Sequence, residues 1–161
     1  MLKFRILQKK DIHQVRDVAL KSWRFAYKDI YKEKRIQKEV SSYYSDKNFE
    51  KYFRGIKKGT GHFIAAVLNN KIIGYAHVTK EKGIWEIIRI YIDPKIIRKG
   101  IGSKLILNGE KFLKTKKAKR YVVYPHPKNK IAINFYKKVG FVRNPKFDRQ
   151  TWCPRCFEKK I

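Results

Sequence analysis

Arg98-Lys99-Gly100-Ile101-Gly102-Ser103 combines residue types that hold an anion. Two glycines let the backbone come close to a ligand. A helix beginning there leaves its first N–H groups unpaired. Those donors, the positive end of the helix dipole, and Arg98, Lys99 and Lys104 together make a site that suits phosphate. Two familiar phosphate loops do not fit. A dinucleotide fingerprint needs a third glycine where Leu105 stands and an acid about 20 residues on, yet no Asp or Glu lies between Glu110 and Asp148. A Walker loop ends in Gly-Lys-Ser/Thr, whereas this chain reads Gly102-Ser103-Lys104. Taken alone, the turn is equally compatible with a glycine-rich cap on an ordinary helix.

Other residues able to do chemistry are few. Glu86 is the only carboxylate inside the central run of strand composition, residues 84–92. It reads either as a proton acceptor or as an ion-paired side chain beside Arg89 or a nearby lysine. Cys153-Pro154-Arg155-Cys156 supplies half of the four ligands a structural zinc needs, and His13, His62, His77 and His126 are scattered. Packed or free thiols are therefore expected and no metal site is assigned; a local disulfide or a half-site shared across a dimer is the alternative. The lone histidines read as hydrogen-bonded rather than catalytic.

The elements that must position these residues follow from pattern. Residues 84–92 are rich in β-branched and aromatic types, a strand closed by Asp93-Pro94. Leu105, Gly109, Phe112 and Leu113 recur on one helix face after the glycine turn. Residues 121–124 read as a further strand, and a strand–helix–strand unit of this length predicts parallel pairing. Ile131, Phe135 and Val139 mark a second helix ending at Gly140, placed as its left-handed C-terminal residue. Upstream, residues 4–7 read as a strand, and Asp11 with Gln14 as a capping box opening a helix. Its inward face is Ile12, Val15, Ala19 and Trp23. Residues 30–58 read as one or two basic amphipathic helices, and 62–68 with 72–80 as a hairpin about Asn69-Asn70-Lys71. Two short strands are expected near 141–143 and 151–158.

Here the chain resembles the GNAT acetyltransferases, the GCN5-related N-acetyltransferase superfamily. Tyr91-Ile92-Asp93-Pro94, then Gly100 and Gly102, then Asn129, Ala132, Phe135, Tyr136, Gly140 and Phe141 match that family's two motifs in order and spacing. The match departs at Ile97, where the family carries Gln or Arg, and at Arg98, where it usually carries glycine. The resemblance implies an α/β fold: a mixed, mostly antiparallel sheet with helices on both faces and a parallel, splayed strand pair that binds the cofactor. It covers residues 62–142 clearly and extends plausibly over one domain of 1–161. It implies acetyl-CoA as co-substrate, held by Tyr91, Ile92, Arg98, Lys99, Gly100, Ile101, Gly102, Ser103 and Asn129. It also implies direct attack by an amine, with Tyr136 as general acid and Glu86 as base through water. Ser22-Trp23 through Tyr27 and Ile30 resembles a segment of the spermidine/spermine acetyltransferases, which points to Trp23 and Tyr27 on the acceptor side. A polycation entering so basic a molecule needs a locally acidic mouth, for which Asp29, Glu33 and Glu86 are the candidates.

Composition bounds the rest. With 161 residues and 43% hydrophobic content the chain should fold around a core. No apolar run approaches a membrane span and the first residues lack a signal-peptide core, so a cytoplasmic protein is expected. Forty-one Lys and Arg stand against 13 acids, a net charge of +28. Residues 94–147 hold 16 of these cations and one acid, Glu110. That field exceeds what coenzyme A requires, and a polyanionic partner such as RNA or a nucleoprotein is the functional reading, against a merely solvated basic surface. Three functions stay open. The leading one is acetylation of a small amine or polyamine. The second is acetylation of a protein amine or RNA. The third, resting on Ile97, is a non-catalytic CoA-binding module that docks RNA. A homodimer is also left open.

Overall fold

In a computed structural model describing all 161 residues, seven strands form one sheet in the order β1-β2-β3-β4-β5-β7-β6. The first four, β1 (Leu2–Ile6), β2 (Gly61–Leu68), β3 (Lys71–Glu81) and β4 (Ile84–Ile92), pair antiparallel. Both hairpin turns use left-handed backbone, at Asn69 and Asn70 (φ 49° and 63°) and at Lys82 and Gly83 (φ 47° and 86°). Two successive residues of that kind match the right-handed twist of the strands they join. Beyond β4 lie β5 (Arg120–Val123), parallel to it, then β7 (Phe157–Lys160) and β6 (Val142–Arg143), which pair antiparallel.

Alternation along β2 explains why both faces are covered. Phe63, Ala65 and Val67 pack with α1 (Ile12–Tyr27), α2 (Glu33–Tyr43) and α3 (Asp46–Lys58). Ile64 and Ala66, pointing the other way, meet Ile101 and Leu105 of α4 (Ile101–Thr115). The opposite face continues through Ile106 and Leu113 to Tyr136 of α5 (Lys130–Lys138) and to Phe141. A period of two in the strand therefore feeds two separate cores.

The residues that part β4 from its neighbour lie at one place. Arg89 opposes His77 and Ile87 opposes Val78, so Ile88 is an extra residue in β4. A bulge of this kind bends the strand and re-aims side chains. On its other side β4 meets β5 at Glu86–Val122, and the rest of its length toward Ile92 runs free of β5. This is the splayed parallel pair expected from the motifs.

Several local expectations change. Asp11 does not cap α1; its carboxylate accepts from the Gln8 N–H at 2.8 Å and from both Arg5 nitrogens at 2.6 and 3.0 Å. A buried acid beside a guanidinium gains more from a bidentate ion pair than from one backbone donor. Gln14 instead accepts the Ile72 N–H at 2.9 Å, tying α1 to β3. On α5, Ile131 is exposed at the cleft, Phe135 packs partly against the core, and Tyr136 is buried. The strand expected over 151–158 starts only at Phe157. Pro154 has no N–H to offer a ladder, and the stretch before it closes on itself through Arg149 N–H to Pro154 O and Cys156 N–H to Asp148 Oδ1.

Gly102 has a packing reason. A Cβ there would meet the Phe135 ring at 2.9 Å and Ile92 at 3.2 Å, so the first turn of α4 lies flush against α5 and β4. Gly102→Ala is expected to cost about 1–2 kcal/mol by overpacking, measured by denaturant unfolding. An unchanged or higher stability would show that the three elements are loosely fitted.

Candidate active site

Where β4 leaves β5, a cleft of about 890 Å³ opens. The end of α1, the first turns of α4 and α5, and the segment from Arg149 to Cys153 complete its walls. Its floor is β4 itself, including Tyr91 and Ile92. The Ser22 hydroxyl donates to the Ile92 carbonyl at 2.9 Å and so fixes α1 to the end of that strand.

One end of the cleft is the glycine turn. Asp93 accepts the Lys95 N–H at 2.9 Å and starts a single 3-10 turn. Ile97 is extended, and Arg98 (φ 66°) and Gly100 (φ 75°) are both left-handed. Nothing lies within 4 Å of a Cβ built on Gly100. The 15-residue helix α4 therefore presents its N-terminus to open space, beside Arg98, Gly100, Ile101, Gly102 and Ser103, all of which line the cleft. Lys99 is exposed on the same turn, outside the lining. Asn129 lines the cleft too, and its side-chain oxygen caps α5 by accepting the Ala132 N–H at 3.0 Å. These groups fit a pyrophosphate-bearing ligand: free backbone donors, a helix dipole and a cation around a surface that no side chain fills. The stretch of β4 left unpaired by β5 offers backbone groups to an extended chain.

Tyr136 and Glu86 both line the cleft. Tyr136 is buried, and burial, with smaller effects from Tyr27 and Glu86, holds its phenol above the ordinary value. Glu86 is the only carboxylate in the lining. Its side chain is 7% exposed and is gripped by Arg149 at 2.8 and 3.0 Å. Burial pushes the Glu86 carboxyl up and Arg149 opposes that push. The Arg149 guanidinium lies 3.4 Å from the centre of the Tyr124 ring.

Part of the cleft wall is aromatic. Trp23 and Tyr27 sit 4.8 Å apart between ring centres, and Trp152, 47% exposed, closes on Trp23 at 6.5 Å, Tyr31 at 6.4 Å and His126 at 5.6 Å. The Trp23 indole N–H is buried without a hydrogen-bond partner. Asp29 lies in the exposed turn after α1 and does not line the cleft. His77, buried against Tyr52 and Phe63, and His62, stacked on Phe112, are packing residues. Cys153 and Cys156 are buried free thiols, and Cys153, pushed up to about 11 by burial, lines the cleft.

Sequence reasoning missed Arg149, Trp152 and Tyr124. Arg149 reaches Glu86 across 63 residues, and no local period marks such a pair. Trp152 carried a weak signal: a large aromatic in a short Pro- and Cys-containing stretch with no apolar partner at strand or helix spacing.

Arg98 occupies a backbone conformation that suits glycine. Arg98→Gly is expected to stabilise the fold by about 1 kcal/mol while weakening coenzyme A binding several-fold, the loss shrinking as salt rises. Denaturant unfolding and calorimetric titration at two salt concentrations test both halves.

Comparison with known proteins agrees with this geometry. The acetyltransferase (GNAT) family model matches residues 19–141. A spermidine N(1)-acetyltransferase of Thermoplasma acidophilum is 29% identical over 144 residues, 87% of this chain and 88% of the relative. The crystal structure of the PaiA N-acetyltransferase of Thermoplasma acidophilum in complex with coenzyme A superimposes with a TM-score of 0.91 at 26% identity, covering 100% of this chain and 99% of the other. A GNAT acetyltransferase of Staphylococcus aureus shares the fold at 14% identity, with a TM-score of 0.77 over 99% of each chain. With the splayed strands, the glycine turn and both motifs in place, the chain belongs to the acetyltransferase (GNAT) family and is an acetyl-CoA-dependent N-acetyltransferase.

Proposed function

We propose that this cleft transfers an acetyl group to a small amine, a polyamine being the favoured acceptor, by direct attack in a ternary complex. The observation that carries the proposal is one continuous cleft whose lining brings together the glycine turn, Tyr136, Glu86 and the aromatic residues Trp23, Tyr27 and Trp152. The spermidine acetyltransferase relative supports the acceptor class.

Acetyl-CoA supplies the activated thioester. The first four N–H groups of α4 and Arg98 hold its pyrophosphate, Tyr91 and Ile92 pair with its pantetheine arm through their backbone, and Asn129 steadies that arm. An alkylammonium of pKa near 10.4 is a free amine in only about one molecule in a thousand at pH 7. Glu86 takes the surplus proton, directly or through water. Tyr136 donates to the departing sulfur. Its raised pKa keeps the proton on the phenol until negative charge develops there.

The aromatic wall answers an electrostatic difficulty. A polycation must enter a molecule of net charge +28 whose cleft has one carboxylate, already ion-paired. Ring faces attract cations without adding negative charge. The chain already uses them so: Arg35 lies 4.1 Å from the Tyr31 ring centre, and Arg89 lies 4.8 Å from that of Tyr52. Trp23, Tyr27 and Trp152 are then placed to hold the ammonium that does not react.

Thiol release with spermidine, spermine, lysine peptides and tRNA, each at low and moderate salt, tests the reading. Turnover of polyamines at both salts is expected. Turnover confined to tRNA or peptide and fading with salt would move the function to macromolecules, recruited by the basic half. Tyr136→Phe should lower kcat at least about tenfold with little change in KM, and an unaltered rate would remove the acid role. Trp152→Ala should raise KM for spermidine about five- to tenfold and change KM for butylamine far less. Equal effects on both would mean that the wall holds carbon rather than charge.

A further inference from the structure

Arg149 belongs to neither family motif and stands in the connection between β6 and β7, yet it makes the only ion pair in the cleft. Its backbone is held at both ends: its N–H donates to the Pro154 carbonyl at 3.1 Å and its carbonyl accepts the Thr151 N–H at 3.0 Å. The residue before it, Asp148, accepts the Cys156 N–H at 2.9 Å and pairs with Arg143. Tyr124, on which the guanidinium lies, donates its hydroxyl to the Phe147 carbonyl at 2.9 Å and anchors the same connection. The guanidinium is thus aimed before it reaches Glu86, and each of its two terminal nitrogens takes one carboxylate oxygen.

Glu86 stands where β4 last touches β5. The titratable groups that bear on it are Glu81 of β3, Tyr124 beyond β5, Tyr136 of α5, Cys153 of the connection, and Arg149. Arg149 is the only cation among them. A carboxylate so buried without a cation would hold its proton near neutral pH, and a protonated carboxyl cannot accept another. A two-point grip leaves about half of the carboxylate's roughly four lone-pair sites available to the cleft.

We propose that Arg149 is a positioning residue for acetyl transfer: its two-point grip holds the Glu86 carboxylate ionised and aimed into the cleft, ready for the proton that the acceptor ammonium gives up. The nitrogen–hydrogen bond of the ammonium breaks, its electron pair stays on nitrogen for the attack, and the proton passes to a free Glu86 lone pair and on to solvent. The proposal rests on the reading of Glu86 as the base. Lysine at this position would keep the charge and lose the fork.

The test reads Glu86 itself. Protein labelled with carbon-13 at the glutamate carboxyls is titrated by NMR, and the Glu86 signal is the one missing from Glu86→Gln. Arg149→Gln should raise the Glu86 midpoint by about one pH unit or more, and Arg149→Lys should place it between that value and the native one. The acidic limb of kcat/KM, measured with any amine the enzyme turns over, should move by the same amount. Thermal unfolding of each variant separates this effect from loss of fold, and Arg149→Lys carries the test if Arg149→Gln does not fold. A midpoint that stays in place in the folded variants overturns the proposal. A midpoint that moves while Glu86→Gln remains fully active instead overturns the reading of Glu86 as the base.

Discussion

All of the chemistry in this molecule depends on two parallel strands that meet at one residue pair. Had β4 and β5 stayed in register beyond Glu86 and Val122, their backbone groups would have satisfied each other and no cleft would exist. The extra residue at Ile88 bends β4 away, and an unpaired length of strand remains that can pair with an extended ligand. A sheet normally protects such an edge. Here α1, α4, α5 and the β6–β7 connection surround it instead, so the exposed backbone faces a cleft and not a second sheet.

A second constraint is the shortage of acids. Thirteen carboxylates cannot neutralise 41 cations, and three of the most buried acids are used to join elements: Asp11 with Arg5, Glu110 with Lys159, Glu86 with Arg149. Arg89 has no carboxylate partner and lies against the rings of Tyr43, Tyr44 and Tyr52. The abundance of tyrosine in the first half of the chain is therefore electrostatic as well as hydrophobic. Rings likewise stand where carboxylates could have stood in the cleft, whose lining holds Trp23, Tyr27 and Trp152 and only one acid, Glu86.

The two glycines of the turn before α4 look alike in sequence and differ in purpose. Gly100 is needed for its backbone angle and leaves open space in front of the helix. Gly102 is needed for its missing side chain, which lets α4 touch Phe135 and Ile92. Arg98 shows the reverse: a residue with a side chain in a conformation that suits glycine, keeping a positive charge at the mouth of the turn.

Sequence by itself determined the family, the strand–turn–helix around the two glycines and the parallel pair, and it singled out Tyr136 and Glu86, which the fold brings to one cleft. These depend on local propensity and on motifs whose spacing is fixed by a single turn or helix. The bounds of β2 to β5, the start of α4 and the extent of α5 were legible for the same reason. Tertiary structure alone decided the partner of Glu86, the aromatic wall and the fate of residues 149–156. Arg149 and Trp152 meet Glu86 and Trp23 across 63 and 129 residues, and such contacts leave no period in the chain. Asp11 likewise showed the pattern of a helix cap until the fold set Arg5 beside it. The common cause is that local hydrogen bonds compete within a few residues and can be read there, whereas the pairing of a buried charge is settled only when distant segments exclude water around it.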